Sequence, residues 1–380
     1  MKKIAILLLS VVILSACNDK KMRIEVINPS ALDKTNEMVE VSWQTISQGL
    51  GLSAEAAFVV LDEQGKQVTY QVITKGLETN QSVIFPATVK AGEKATFSFK
   101  AGQPEPFAPR VFGRHVPERK DDFAWENDRI AFRMYGPALA DENPSNGVDT
   151  WLKCTDELIM ERFYKEDLSG EKSYHVDHGE GLDCYKVGHT LGAGGISPYF
   201  NDTLWVGNHY DSSRVLDNGP LRFTFELTYN TIPVSNKGVK AVLRISLDAY
   251  SQLNKAEVVY SGDADVTKVA GGIFLHDIIG VTKTDVAAGY IAYAENAVSD
   301  AGLAAGRNYI GVVMPGMKEA KQDDTHLLAI ADYSANQPYT YYFGAGWNKW
   351  GFETDDAWFN YMADYAKNVQ QPLQVNVLSK

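Results

Sequence analysis

The sequence predicts a mainly β, antiparallel protein, and three observations lead there. Residues 221–229 alternate apolar and polar side chains without a break, and residues 239–247 nearly so, as strands with one wetted face do. Two β-prone runs, 58–61 and 68–72, flank Asp62-Glu63-Gln64-Gly65 and read as a hairpin. The clearest helical period comes only near the C-terminus. There Thr354 stands as cap, Asp355 and Asp356 lie in the first turn, and Trp358, Met362 and Tyr365 share a face.

Taken in order, the chain opens with Lys2 and Lys3, an apolar run over residues 4–14, and Leu14-Ser15-Ala16-Cys17. A basic start, an apolar stretch too short to span a bilayer and small residues before a cut site make a signal peptide over residues 1–16. The closing tetrapeptide resembles a bacterial lipobox, which implies cleavage before Cys17 and lipidation of its thiol. The expected location is the bacterial cell envelope, lipid-anchored at the outer membrane and facing the periplasm or the cell surface. Residues 17–21 then serve as lipidated cysteine and tether. Strands are expected at 23–27, 39–43, 58–61, 68–72 and 95–99. Gly102-Gln103-Pro104-Glu105-Pro106, with Pro109 close behind, marks a boundary. This gives a small β module over 22–102 and a larger domain over 103–380, with further strands at 221–229, 239–247, 256–260, 288–293, 309–313 and 339–343.

Composition narrows the function. The chain has 380 residues and a formal net charge of −12, which opposes sequence-blind binding to nucleic acid or to anionic lipid. Membrane association is therefore expected only through the lipid anchor. Three cysteines make no disulfide framework, and no CxxC pair suggests a structural zinc. Cys154 and Cys184 could pair only if the fold brings them close. Gly192-Ala193-Gly194-Gly195 is followed by no Lys-Ser/Thr, so it is not a phosphate loop.

Chemistry concentrates in three segments. Residues 174–189 hold His175, His178 and His189 among Asp177, Glu180, Asp183, Tyr174 and Tyr185, with Gly179 and Gly181 suited to a loop. Imidazole and phenol move protons near neutral pH, so this segment is the expected acid/base centre. His175, Asp177, His178 and Glu180 are also ligand types for a metal, although no dedicated ligand spacing is present. The blander alternative is a polar surface loop. The second segment, 114–137, mixes Arg119 and Arg133 with Trp125 and Tyr135. It suits a sugar site in which an arginine grips a carboxylate and an aromatic ring lies beneath, or equally a solvated charge run with core aromatics. The third, 208–220, contributes His209 and Arg214 beside an Asn218-Gly219 turn.

The runs RKDDFAWEND, YGPAL, SYHVDHGEGLDCYKVG, LGAGG, RVLDNGP and YYFGAGW occur in this order. On these motifs the chain resembles domain-of-unknown-function family 4861, secreted bacterial proteins associated with polysaccharide breakdown. The resemblance implies a β-sandwich related to the supersandwich folds of carbohydrate lyases and mutarotases. It also implies the activity of the ulvan oligosaccharide dehydratases, which remove water from a non-reducing-end uronic acid to leave a 4,5-unsaturated sugar. Such an elimination needs a group to neutralise the carboxylate, a base for the C5 proton and an acid for the leaving oxygen. It requires no cofactor, and a bound metal ion stays open. The residues expected in these roles are His175 or His178 as base, Tyr185 or Tyr135 as acid, and Arg133 or Arg214 on the carboxylate. Arg119, Trp125, His189 and Asp183 support binding or orientation. A polysaccharide lyase would perform the same elimination on a glycosidic oxygen. A non-catalytic glycan-binding lipoprotein would need the aromatic platforms alone.

Overall fold

The computed structural model describes residues 20–142, 144–235, 237–276 and 280–378. The expected signal peptide and the expected lipidation site, Cys17, lie outside the described residues. The fold is mainly β, with several antiparallel sheets and a C-terminal helix, as the alternating runs predict.

Residues 21–101 form a small sandwich. A three-stranded sheet of Lys34–Ser42, Ser82–Val89 and Gln71–Ile73 faces one containing Lys21–Ile27, Lys94–Ala101, Phe58–Leu61 and Gln67–Val68. Ile24, Val26, Val60, Val83, Phe85 and Phe99 fill the space between them. The expected strand over 68–72 is broken, because the chain changes sheets there. Val68 pairs with Val60, whereas Val72 pairs with Val83. The expected strand over 39–43 stops at Ser42, whose hydroxyl accepts from the Thr45 amide and caps the helix Trp43–Leu50. A boundary at residue 102 also leaves out one element. Gln374–Leu378, the last described strand, returns to pair with Arg23–Ile27 at the edge of this sandwich.

The larger part is a sandwich about an eight-stranded antiparallel sheet. Its order runs Ser212–Asn218, Arg222–Val234, Lys237–Asp248, Leu253–Gly262, Tyr339–Trp347, Ala304–Val313, Tyr290–Val298 and Val281–Asp285. Two five-stranded sheets lie against its inner face and meet through a bridge between Val148 and Gly192. Phe223, Phe225 and Phe343 project from the large sheet onto Phe123, Trp125 and Phe132 of one facing sheet. Burying each such phenylalanine contributes about 1.5–3 kcal/mol. Trp125 is thus a core residue, its Nε1 donating to Asn254 Oδ1 at 2.8 Å, and not the sugar platform expected from sequence. Trp347 is buried too, with its Nε1 on the Ala305 carbonyl.

The helix Asp355–Gln370 covers the outer face of the large sheet. Thr354 Oγ1 accepts from the Ala357 amide, as the capping signal predicts. Trp358 and Met362 turn onto Tyr309 and Leu253. Gly311 lies beneath the helix because a Cβ there would come within 2.3 Å of Met362 Sδ. Cys154 and Cys184 are both free thiols, packed beside the same small apolar cluster. No helix among the described residues is long and apolar enough to cross a membrane.

Candidate active site

The site grows from one sheet: Val111–Val116, Asp122–Asn127, Ala131–Met134, Val148–Lys153 and Gly181–Asp183. Its three middle strands are buried at every residue. One face enters the sandwich core. The other is roofed by the helix Met160–Leu168 and by Tyr174, which pack on Val116, Ala124, Ala131 and Trp151. Strand alternation then puts Asp122, Glu126, Arg133, Asp149, Lys153 and Asp183 on the roofed face. The register sets Arg133 opposite Asp149, and Trp151 opposite Asp183. These charges cannot reach water, so they must satisfy one another.

They do so in two groups. Lys153 Nζ reaches Glu126 Oε2 at 2.7 Å, and Glu126 in turn accepts from the amides of Ile159 and Met160. That carboxylate holds down the N-terminus of the roofing helix, a structural task. The second group centres on Arg133, which is 1% exposed. One terminal nitrogen of its guanidinium lies 2.6 Å from both Asp149 Oδ2 and Asp183 Oδ2. That nitrogen also donates to the Tyr135 hydroxyl at 3.3 Å, while the other donates to Tyr174 Oη at 3.4 Å. Asp122 stands 3.8 Å away and accepts from Tyr164 Oη. Burial, followed by the Asp183 charge, pushes the Asp149 carboxyl well above the usual carboxylate range despite Arg133. Burial likewise raises Asp122, against the pull of Arg133 and Arg119. Desolvation also raises the Tyr135 phenol, which therefore keeps its proton.

The outer rim of this group reaches solvent. Arg119, with a quarter of its side chain exposed, lies 3.6 Å from Asp122 and over the Tyr135 ring at 5.9 Å. His209 meets the same ring edge-on at 6.3 Å. The His175 side chain is about a third exposed. Its Nδ1 lies 3.1 Å from the Asp183 carbonyl, 3.6 Å from the Asp183 carboxylate and 3.5 Å from Asp300. Donation from Nδ1 to that carbonyl leaves Nε2 with the lone pair. The turn carrying Arg119 is strained: Lys120 and Asp121 have φ of 48° and 61°, unusual for residues with a Cβ. Gly136 abuts this turn, and a Cβ there would meet the Asp121 carbonyl oxygen at 1.9 Å.

Arg119, Arg133, Tyr135, His175 and Asp183 therefore come together, with His209 beside Tyr135 at the rim. The other sequence candidates do not. Arg133 cannot receive a substrate carboxylate because two aspartates and the roof enclose it. Arg214 sits on the outer face of the large sheet, paired with Glu226 at 2.7 Å, with both layers between it and Arg133. Tyr185 is buried against the His276 ring, which itself pairs with Glu295 at 3.0 Å. His178 Nε2 meets the Ser173 carbonyl and His189 Nδ1 the Pro144 carbonyl, both at exposed positions outside the group. Asp177 and Glu180 are taken up by Lys349 and Arg162 at 2.7 Å each. Among the described residues no group of three His, Cys, Asp or Glu is arranged to hold a metal. Sequence reading missed Asp149 because a single carboxylate in Val-Asp-Thr-Trp-Leu-Lys carries no motif; only the register places it against Arg133.

Solved structures share this architecture. A protein in glycosyl hydrolase family 38 from Enterococcus faecalis matches 95% of the chain at a TM-score of 0.54 and 10% identity, with 48% of that protein covered. An alpha-mannosidase from Enterococcus faecalis V583 matches 95% of the chain at 0.53 and 10% identity, with 46% covered. The chain spans about half the length of either, and the likeness is one of fold. In sequence it is 30% identical over 283 residues to "Uncharacterized protein P7" of Formosa agariphila, covering 70% of this chain and 69% of that one. A family model matches residues 26–375, and the chain belongs to that family, the domain of unknown function DUF4861.

Proposed function

We propose that this protein is a carbohydrate-active carbon–oxygen lyase, a dehydratase that removes water from the non-reducing-end uronic acid of ulvan-type oligosaccharides. The observation that carries the reading is the rim of the Arg133 group, where a partly exposed arginine, the Tyr135 phenol and the partly exposed His175 imidazole sit around one buried charge network. In this scheme Arg119 pairs with the uronate carboxylate and stabilises the enolate-like charge. His175 Nε2 takes the C5 proton, and the electrons left behind form the C4–C5 double bond. The C4–O bond breaks as Tyr135 supplies a proton, so that hydroxide leaves as water. Arg133 donates to the Tyr135 oxygen and steadies the phenolate until it is reprotonated. The fold shared with sugar-processing enzymes supports a glycan substrate by analogy. The export signal and Cys17 support a lipid-anchored envelope protein. Cys17→Ala should release soluble protein or leave the precursor uncleaved, and unchanged membrane retention would overturn that part.

Mass spectrometry of saturated uronic oligosaccharides after incubation tests the activity. A dehydratase lowers the mass by one water without cleavage and creates an unsaturated-uronate absorbance. Shorter unsaturated products would make it a polysaccharide lyase, and unchanged mass would remove the reading. His175→Ala should lower kcat on the order of 10²–10⁴-fold with little change in KM.

A further inference from the structure

A second cleft lies on the far side of the large sheet from Arg133, where the small sandwich meets the C-terminal helix, and it encloses about 490 Å³. That volume suits a ligand of a few sugar rings. One wall is the start of the strand Lys34–Ser42, the other the helix face bearing Tyr361, Tyr365 and Asn368, and Tyr250 and Tyr342 complete the lining. All four tyrosines are half-buried and line the cleft. Among the described residues Asn368 Oδ1 has no hydrogen-bond partner, which leaves an unsatisfied acceptor beside the cleft. Two lining residues, Asn36 and Tyr250, hold left-handed backbone at φ 52° and 69°. A left-handed tyrosine is costly and persists only where its surroundings fix it.

Charge selects the occupant. Lys34 is spent on Glu37 at 2.9 Å, and Arg222 on Asp248 at 2.5 and 2.8 Å. The other two lining carboxylates are paired as well, Asp33 with Lys90 at 2.7 Å and Asp364 with Lys367 at 3.4 Å, so each cation at the cleft is already taken by a carboxylate. An anionic uronate therefore finds its cationic partners already occupied, whereas neutral hydroxyls find acceptors and apolar sugar faces find aromatic rings. We infer that this cleft binds a neutral oligosaccharide segment. It is a glycan-holding site on the face opposite the Arg133 group, and it does not depend on the elimination chemistry.

The experiment is calorimetric titration of the mature protein with xylotetraose, cellotetraose, mannotetraose and, as anionic counterpart, tetragalacturonate. At least one neutral tetrasaccharide should bind, with affinity reduced on the order of tenfold in Tyr342→Ala or Tyr365→Ala and kept in the phenylalanine variants. Because these tyrosines also pack against the helix, Thr35→Trp, an exposed residue at the rim, provides a second test: it should block binding while the melting temperature is unchanged. Arg119→Ala should leave this binding intact. Failure of all three neutral sugars to bind, binding insensitive to Thr35→Trp, or loss of tetragalacturonate binding in the same variants would overturn the proposal. Dehydratase activity would be untouched by any of these outcomes.

Discussion

Replacing Arg133 with methionine strands Asp149 and Asp183 without the guanidinium they share at 2.6 Å. Removing one partner from a buried ion network costs about 3–5 kcal/mol, so Arg133→Met should lower the urea midpoint sharply. Arg119→Ala should behave in the opposite manner. Its partly exposed position at the rim makes the cost to folding smaller, while both KM and kcat on a uronic substrate should worsen, since the carboxylate is held in ground and transition states alike. Asp149 adds a pH dependence. Its folded pKa is raised by burial, so at and below the unfolded value of about 3.9 both states carry the proton. Above it the unfolded chain releases the proton while the folded one retains it, and stability falls as pH rises toward the folded value. Asp149→Asn removes this loss. The difference in urea midpoint between variant and parent should move in the variant's favour from pH 4 to pH 7, and a constant difference would contradict the buried neutral acid.

At the scale of elements, the C-terminal helix was the easiest to read and is the easiest to test. Thr354→Ala deletes a cap that accepts from Ala357, and should cost about 1 kcal/mol in denaturant unfolding. The strands of the large sheet were legible because each presents one wetted face. The predicted run 221–229 lies within Arg222–Val234 apart from its first residue, and 239–247 lies within Lys237–Asp248. The strands of the site sheet were not legible. Asp122–Asn127 and Val148–Lys153 are buried on both faces, and the roofed face carries charges, so period-two patterning reads there as mixed polarity. The helix Met160–Leu168 escaped too, since Glu126, more than thirty residues upstream, holds its start.

Across the whole molecule, the chain closes on itself. Gln374–Leu378 pairs five residues with the first strand of the small sandwich, more than three hundred positions away. Truncation after residue 372 exposes the Lys21–Ile27 edge and opens the wall beside the C-terminal helix. The small sandwich should then melt before the rest. Calorimetry should show a separate early transition, with limited proteolysis cutting first within residues 22–102; a single unshifted transition would show the strand to be dispensable.

The sequence by itself determined what local chemistry controls: antiparallel strands from alternation, the capped helix from Thr354 and its acidic first turn, and the expectation of export from the first seventeen residues. It also singled out Arg133, Tyr135, His175 and Asp183, because rare residue types cluster along the chain. Tertiary structure decided how those residues are used. Whether an arginine meets substrate or is consumed by buried aspartates depends on strand register and on the roof above it, and neither has a local signature. The same holds for Trp125, an aromatic ring that alternation alone could face either way and that packing commits to the core. The tyrosine cleft belongs wholly to tertiary structure, since its walls come from residues 33–38, Arg222, 248–251, Tyr342 and the stretch 361–372, and only the folded chain makes them neighbours.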